Sequence, residues 1–422
     1  MNVGKRKRVV AVVLGLGALA AVTAGTQIAS GRSSAKTVVI GVDLPFQGAS
    51  ADASNDTINA INLIVAQNKG MAGKFKIKIA KYDDSTAAKG GWDDAVCAAN
   101  AVKHVGNKAE VAVMGTYNSG CAKIEVPVLN QAPGGAMLMV SHANTNPGLT
   151  KPWDPGEPQK YYPTGKKNYG RIVATDDYQG AAAAQFAAKI LKVKNCYVLN
   201  DAQTYGVGVA RAFVDEAKKQ GINILGNDGW DAKQPNYTAL FTKIKGTNPD
   251  CVYLGGIDDN NGNQVVKDKV AVLGANDGAV KLVAPDGFTG YPDLQALPES
   301  QGMYLTFAGL PTDVLQKGGG TAQKFLTAFK KKYGHAPASN YSLYGAAATQ
   351  VIMAAIAKSN GTRESVRRAV FTGQGIVVPK TVSVIGKAIG IKTGNGDTTV
   401  RDMSVELMKG NAETFLRPWP VA

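Results

Sequence analysis

Apolar strand-like runs and amphipathic helical stretches alternate along the first part of this chain, stop, and then alternate again, and this double alternation limits the fold more than any other feature. The run Thr37-Val-Val-Ile-Gly-Val is continuously apolar, as suits a parallel strand covered on both faces. Ile58, Ile61, Leu63, Ile64 and Val65 fall at helical spacing and predict a helix over 56–68, while 75–79 alternates as a strand. A helix over 92–104, a strand at 111–114 ending in Gly115, a helix around 124–129 and a strand at 136–140 follow. Such an order folds as a doubly wound parallel sheet.

The interval 144–167 is different. It carries Pro147, Pro152, Pro155, Pro158 and Pro163 among glycines and lysines, so it cannot sustain a helix and reads as a long surface loop near a boundary. The alternation then restarts with helices over 179–191, 207–220 and 237–244 and strands at 196–199, 223–225, 251–255, 282–284 and 303–307. Long helices over 321–333 and 341–358 come next, and 400–408 alternates as an edge strand. The expected fold class is α/β, with two doubly wound parallel-sheet lobes; 422 residues are also more than one core usually organises. Ligands of open α/β sheets bind outside the carboxyl ends of the strands, so the cleft between the lobes is the expected site.

The N-terminus carries an address. Lys5, Arg6, Lys7 and Arg8 precede an apolar run from 9 to 22 and small residues around 24–30, the layout of a secretory signal, and 1–35 is assigned to it. The run is shorter than the roughly 20 residues a membrane-spanning helix needs, which favours cleavage over a retained anchor. No cysteine follows it to accept a lipid, so the protein is expected in the periplasm or outside the cell envelope. The net charge of +15 comes from lysines scattered as Lys-x-Lys and never interleaved with aromatics, so no nucleic-acid partner is expected. Cys97, Cys121, Cys196 and Cys251 all lie in the exported part; they read as two disulfides in any of three connectivities, or as buried thiols. His104, His142 and His335 stand at no zinc-ligand spacing from a cysteine, and no metal site is expected.

Catalytic signatures do not appear. There is no Gly-x-Ser-x-Gly elbow, no His-Glu-x-x-His and no phosphate-binding glycine loop, and Gly206-Val-Gly208 lacks the third glycine of a dinucleotide motif. No enzyme activity and no cofactor are expected. Two Gly/Ser/Thr-rich turns recur at strand ends instead, Gly115-Thr-Tyr-Asn-Ser119-Gly120 and Ser141-His-Ala143-Asn-Thr145. Their N–H groups and hydroxyls, with a helix N-terminus, either hold a carboxylate or cap the next helix. The second half offers Asp201, Tyr205, Asp258, Asp259 and Asp286 after its strands, any of which could meet an ammonium or stay solvated.

At these residues the chain resembles the periplasmic type I solute-binding proteins of ABC transporters, above all the branched-chain amino-acid-binding family. The carriers are Ile-Gly-Val-Asp-Leu-Pro-Phe-Gln-Gly at 40–48, Lys-Tyr-Asp-Asp at Lys81, Ser-x-Ala-x-Thr-x-Pro at Ser141 and Asp-x-Gln-x-Tyr-Gly at Asp201. Tyr253-Leu-Gly-Gly, Pro285-Asp-Gly and Gly394-Asn-Gly-Asp add to it, so the resemblance spans about 37–416. It implies that Ser119, Ala143 and Thr145 hold a ligand's carboxylate and amine, that Tyr205 covers it and that Asp286 meets the ammonium; Phe46 and Tyr117 complete the expected set. It implies a first-lobe disulfide joining Cys97 and Cys121 at slightly shifted positions, with Cys196–Cys251 an added bridge between neighbouring strand starts. Lobe 1 is then 37–172 with 310–375, lobe 2 is 173–308 with 390–416, and a three-strand hinge crosses near 169–176, 307–311 and 373–390. The implied ligand is an amino acid or related amide, and the implied partner is a membrane permease met by a monomer that closes over its solute; a sensory receptor lobe is the alternative. The loop Ala49-Ser-Ala-Asp-Ala-Ser departs from relatives that carry a larger residue there, which leaves ligand size open.

Overall fold

The computed structural model describes residues 35–420; the signal-segment expectation lies outside them. The first sheet is laid down by β1 (Thr37–Leu44), α1 (Ala51–Gln67), β2 (Met71–Ala72), β3 (Phe75–Asp83), the small hairpin β4 (Ser85–Thr86) and β5 (Gly91–Trp92), and α2 (Asp94–Gly106). It continues through β6 (Glu110–Gly115), α3 (Ser119–Asn130), β7 (Leu138–Ser141) and β8 (Tyr169–Arg171). The strand order is β2-β3-β1-β6-β7-β8, parallel except for β2. The winding reverses between β1 and β6, so loops at the carboxyl ends of these strands splay apart into a crevice.

A second sheet follows from α4 (Asp176–Lys189), β9 (Asn195–Asn200), α5 (Thr204–Lys219), β10 (Asn223–Gly229), α6 (Thr238–Gly246), β11 (Cys251–Gly255), α7 (Gly262–Leu273), β12 (Lys281–Ala284), α8 (Pro292–Ala296) and β13 (Tyr304–Phe307). The chain then returns to the first sheet with α9 (Thr312–Lys317), α10 (Gly320–Tyr333), α11 (Tyr341–Ala357), α12 (Arg363–Phe371) and the pair β14 (Val377–Val378) and β15 (Ile389–Gly390). It ends on the second sheet in β16 (Ser404–Lys409) and β17 (Ala412–Pro418), giving the order β10-β9-β11-β12-β13-β16-β17. The 400–408 segment, expected at an edge, therefore lies inside the sheet, because the unrecognised β17 pairs antiparallel to it.

Two other expectations change. The third passage between sheets comes after residue 398 and not over 373–390: β14 and β15 pack on α11, and the Gly396 carbonyl still accepts from Arg171 N–H of β8 at 2.9 Å. Residues 390–398 thus stay with the first lobe. The proline-rich interval is only partly surface, since Leu149, Tyr161 and Tyr162 are buried in an apolar cluster with α3 and β7. Parallel strands covered on both faces explain why the core divides into clusters on opposite sides of each sheet. The bridges are Cys97–Cys121, tying α2 to the start of α3 with Cα atoms 5.5 Å apart, and Cys196–Cys251, joining directly paired positions of β9 and β11 with Cα atoms 4.4 Å apart.

Candidate functional site

The turn after β6 is closed by side chains, not by a regular ladder. Ser141 Oγ donates to the Thr116 carbonyl (2.9 Å) and accepts from Ala143 N–H (3.1 Å) and Asn144 N–H (2.9 Å), which folds the 141–145 segment into a compact arch. Asn144 Nδ2 donates to the carbonyls of Thr116 and Tyr117, both at 2.9 Å, and so binds the arch to the neighbouring turn. From behind, the buried Arg171 holds the Asn144 carbonyl (2.8 Å) and Thr150 Oγ1 (2.8 Å) and pairs with Asp397 at 3.3 Å. Burial alone would raise the Asp397 carboxyl, but Arg171 holds it below its ordinary value. Rigid support of this kind fixes where Ser119, Ala143 and Thr145 point.

The second sheet answers with the short turn after β12. Asp286, 3% exposed, accepts from the hydroxyls of Tyr205 and Tyr341, the first from its own lobe and the second from α11 of the other. Gly287 must be glycine: a Cβ there would lie 2.2 Å from the Gly256 carbonyl and 2.8 Å from the Tyr205 ring. Burial raises the Asp286 carboxyl above its ordinary value despite the two hydroxyls. Asp176, whose N–H donates to the Thr145 carbonyl at 2.9 Å, is fully buried and neither of its oxygens has a partner among the described residues. Burial, with Asp286 nearby, pushes it well up.

Between these walls lies a small cavity. Tyr117, Ser119, Ala143, Thr145, Tyr205 and Asp286 all line it, so six of the seven expected ligand residues meet in one place. Phe46 does not reach it. Its N–H donates to Asp83 at 3.1 Å and its ring lies under Lys81 Nζ, 3.5 Å from the centroid, which turns it toward the outer edge of the sheet. Asn118, Ile257, Gly287 and Tyr341 complete the lining. Tyr341 escaped notice because it opens a helix that is buried almost throughout and reads as core.

The lobes also touch beside the cavity. Ser50 Oγ, before α1, donates to Asp259 at 2.9 Å, where the Tyr291 hydroxyl also donates at 2.6 Å. Arg211 of α5 pairs with Asp154 at 2.8 Å and stacks 3.9 Å from the Trp153 ring. Asp201, one of the acids that could meet an ammonium or stay solvated, does neither and ties its own lobe, accepting from Ile257 N–H (3.2 Å) and Asn260 (2.7 Å). Chemically the cavity offers hydroxyls and the N-terminus of α3 on one side and the Asp286 carboxyl on the other. That is a complement for a zwitterion.

Behind Tyr117 and Tyr341, with ring centroids 5.6 and 6.1 Å away, His142 is fully enclosed and neither nitrogen has a partner among the described residues. Burial lowers its pKa to about 3. The folded state then binds fewer protons than the unfolded one below about pH 6.5, so stability present above that pH is lost on acidification, by up to about 1.4 kcal/mol per pH unit. Asp201, pushed up to about 6 by burial, and Asp258, pushed up to about 7, act oppositely, making stability fall as pH rises from about 4 to 7. The His142 share is isolated by comparing urea unfolding of wild type and His142→Phe. Between pH 7 and pH 5 the variant should gain about 2 kcal/mol on wild type; parallel curves would mean that the imidazole titrates normally.

A family model described as periplasmic binding protein matches residues 37–406. An amino acid binding protein of Pseudomonas aeruginosa is 27% identical over 327 residues, covering 75% of this chain and 78% of its own. The Leu/Ile/Val-binding protein BraC3 of Rhizobium johnstonii is 28% identical over 361 residues, 85% of this chain and 88% of its own. Among solved structures, a leucine-binding protein of Thermotoga maritima superposes with a TM-score of 0.73 at 21% identity over 90% of this chain and 98% of its own. A solute-binding protein of an ABC transporter from R. palustris, in complex with benzoate, does so at 0.72 and 16% identity over 90% and 96%. With both sheets, the crevice between them and a matched span that takes in both lobes, the chain belongs to the periplasmic binding protein family.

Proposed function

We propose that this protein is the extracytoplasmic substrate-binding component of an ABC transporter, which captures an α-amino acid or its amide by lobe closure and presents it, as a monomer, to a membrane permease. The observation that carries the reading is the division of charge preference across one cavity. The α3 N-terminus with Ser119 and Thr145 suits a carboxylate, and Asp286, backed by Asp176, suits an ammonium. Tyr117 and Tyr341 would cover the aliphatic part from the first lobe, and Tyr205 from the second. The moving units would be 37–172 with 310–398, and 173–308 with 404–418. Ligand would act by preferring the closed arrangement, in which Ser50–Asp259 and Arg211–Asp154 bridge the lobes.

Benzoate-type acids are the second reading, because several structural neighbours are complexes of such acids. They supply the carboxylate but no cation, and would leave Asp286 and Asp176 buried without one. The two are separated by titrating leucine, isoleucine, valine, glutamine, benzoate and 4-hydroxybenzoate against thermal unfolding, with native mass spectrometry for stoichiometry. A ligand specific to the folded state raises stability by about 2.7 kcal/mol at a concentration 100 times its Kd. An amino acid is expected to do so. Stabilisation by the aromatic acids alone would overturn the zwitterion reading, and turnover of any of them would overturn a binding role.

A further inference from the structure

The first lobe encloses four carboxyl groups, Asp43, Asp84, Glu110 and Glu125, around one imidazole, His104, all fully buried. They come from the end of β1, the end of β3, the start of β6, α3 and α2, so no sequence spacing announces them. The cations nearby are committed elsewhere. Arg363 donates to the carbonyls of His104, Val105, Asn107, Glu110 and Pro133, and Lys103 donates to Asn100. One imidazole cannot balance four buried carboxylates, and a fold that gathers them must neutralise the excess with protons or with a metal ion.

The geometry favours the ion. His104 Nδ1 meets Glu110 Oε1 at 2.5 Å, and Glu110 is held in turn by the Tyr82 hydroxyl at 2.8 Å. This is the carboxylate–histidine arrangement that fixes the tautomer and ring orientation of a metal-bound imidazole. The other nitrogen, Nε2, faces Asp43 Oδ2 at 3.0 Å. Two donors each about 2.0–2.1 Å from one ion stand about 3 Å apart, so this spacing suits two adjacent ligands. Glu125 brings a carboxylate oxygen into the same set, with the three ligand atoms all within 4.8 Å of one another. A second observation is independent of this spacing: Glu125 Oε2 and both Asp84 oxygens have no hydrogen-bond partner among the described residues. Asp84 itself adjoins the Cys97–Cys121 bridge next to Glu125.

We propose that Asp43, His104 and Glu125 coordinate a divalent first-row metal ion, best matched by Zn²⁺, with Glu110 orienting the imidazole and Asp84 as the neighbouring carboxylate. One imidazole with oxygen donors suits Zn²⁺ or Mn²⁺ better than Ca²⁺ or Mg²⁺, which prefer oxygen alone. The ion would join β1, α2 and α3, and so hold the helix whose first residue is Ser119. Complete burial means that it enters as the lobe folds.

The test is refolding of the disulfide-bonded protein from denaturant with ZnCl₂, MnCl₂ or EDTA, followed by gel filtration, metal analysis and native mass spectrometry. About one ion per chain should be retained, with a higher melting temperature than the EDTA-refolded protein. Glu125→Gln and Asp43→Asn should each weaken metal affinity at least about tenfold, since losing even a supporting partner of a metal ligand costs about that much, and so lower the metal retained. Wild-type protein that retains neither metal and melts identically with and without EDTA would overturn the site and leave protons as the neutralising charge, with His104 an imidazolium. Retention unchanged in both variants would place the ion elsewhere and overturn it equally.

Discussion

Replacing Asp286 by alanine should weaken amino-acid binding by about 2 kcal/mol or more, roughly thirtyfold in Kd, because truncating one member of a desolvated charge pair strands the other. Asp286 is held by two tyrosine hydroxyls, both neutral donors. An ammonium offers the charge that the hydroxyls lack and draws the carboxyl into its ionised form, against the burial that raises it. The cost should fall on binding and spare folding, since removing a carboxyl that is buried without a cation relieves desolvation. Calorimetric titration of wild type and Asp286→Ala, with their ligand-free melting temperatures, checks both halves. An unchanged Kd would remove the ammonium from this position. A melting temperature that collapses together with the affinity would make Asp286 a structural residue, and Tyr205 and Tyr341 its partners in folding.

Much of the fold can be read in the sequence because parallel strands covered on both faces must be largely apolar, and 251–255 and 38–42 are. The site was readable to the extent that it is built where strands give way to turns and helix starts: Ser119, Ala143, Thr145, Tyr205 and Asp286 each lie within five residues of a strand's end and line the cavity. What sequence did not reveal depends on where side chains turn once the chain is packed. Phe46 sits in a ligand-like motif, yet its ring is drawn to Lys81. Tyr341 looks like core but reaches across to Asp286, and Asp176 looks like a helix-start acid but is buried without a partner. Helix starts were missed where polar or proline residues break the apolar pattern: α3 begins at Ser119, five residues before its first branched apolar side chain, and holds Pro127 inside. The third crossing, which the family resemblance implies near 373–390, comes later in the chain, since Arg171 N–H still holds the Gly396 carbonyl in the loop beyond β15.

The two disulfides should separate stability from binding. In the chain-entropy account, a cross-link stabilises by restricting the unfolded chain, more for longer loops. The 55-residue separation of Cys196–Cys251 corresponds to about 4 kcal/mol, and the 24-residue separation of Cys97–Cys121 to about 3 kcal/mol. Removing the second-lobe bridge with Cys196→Ala and Cys251→Ala should therefore cost more stability in urea unfolding. Ligand affinity should nearly survive it, since both cysteines lie at the strand ends far from the cavity-lining turns. Cys121 is the third residue of the helix that Ser119 opens, and its bridge fixes that helix against α2. Cys97→Ala with Cys121→Ala should lose less stability but more affinity, because the wall proposed to take the carboxylate loses its tether. Opposite rankings in the two measurements would tie the first-lobe bridge to the site. If affinity instead follows stability in both pairs, the helix start is held by the Ser141–Asn144 arch and the bridge only limits the unfolded chain.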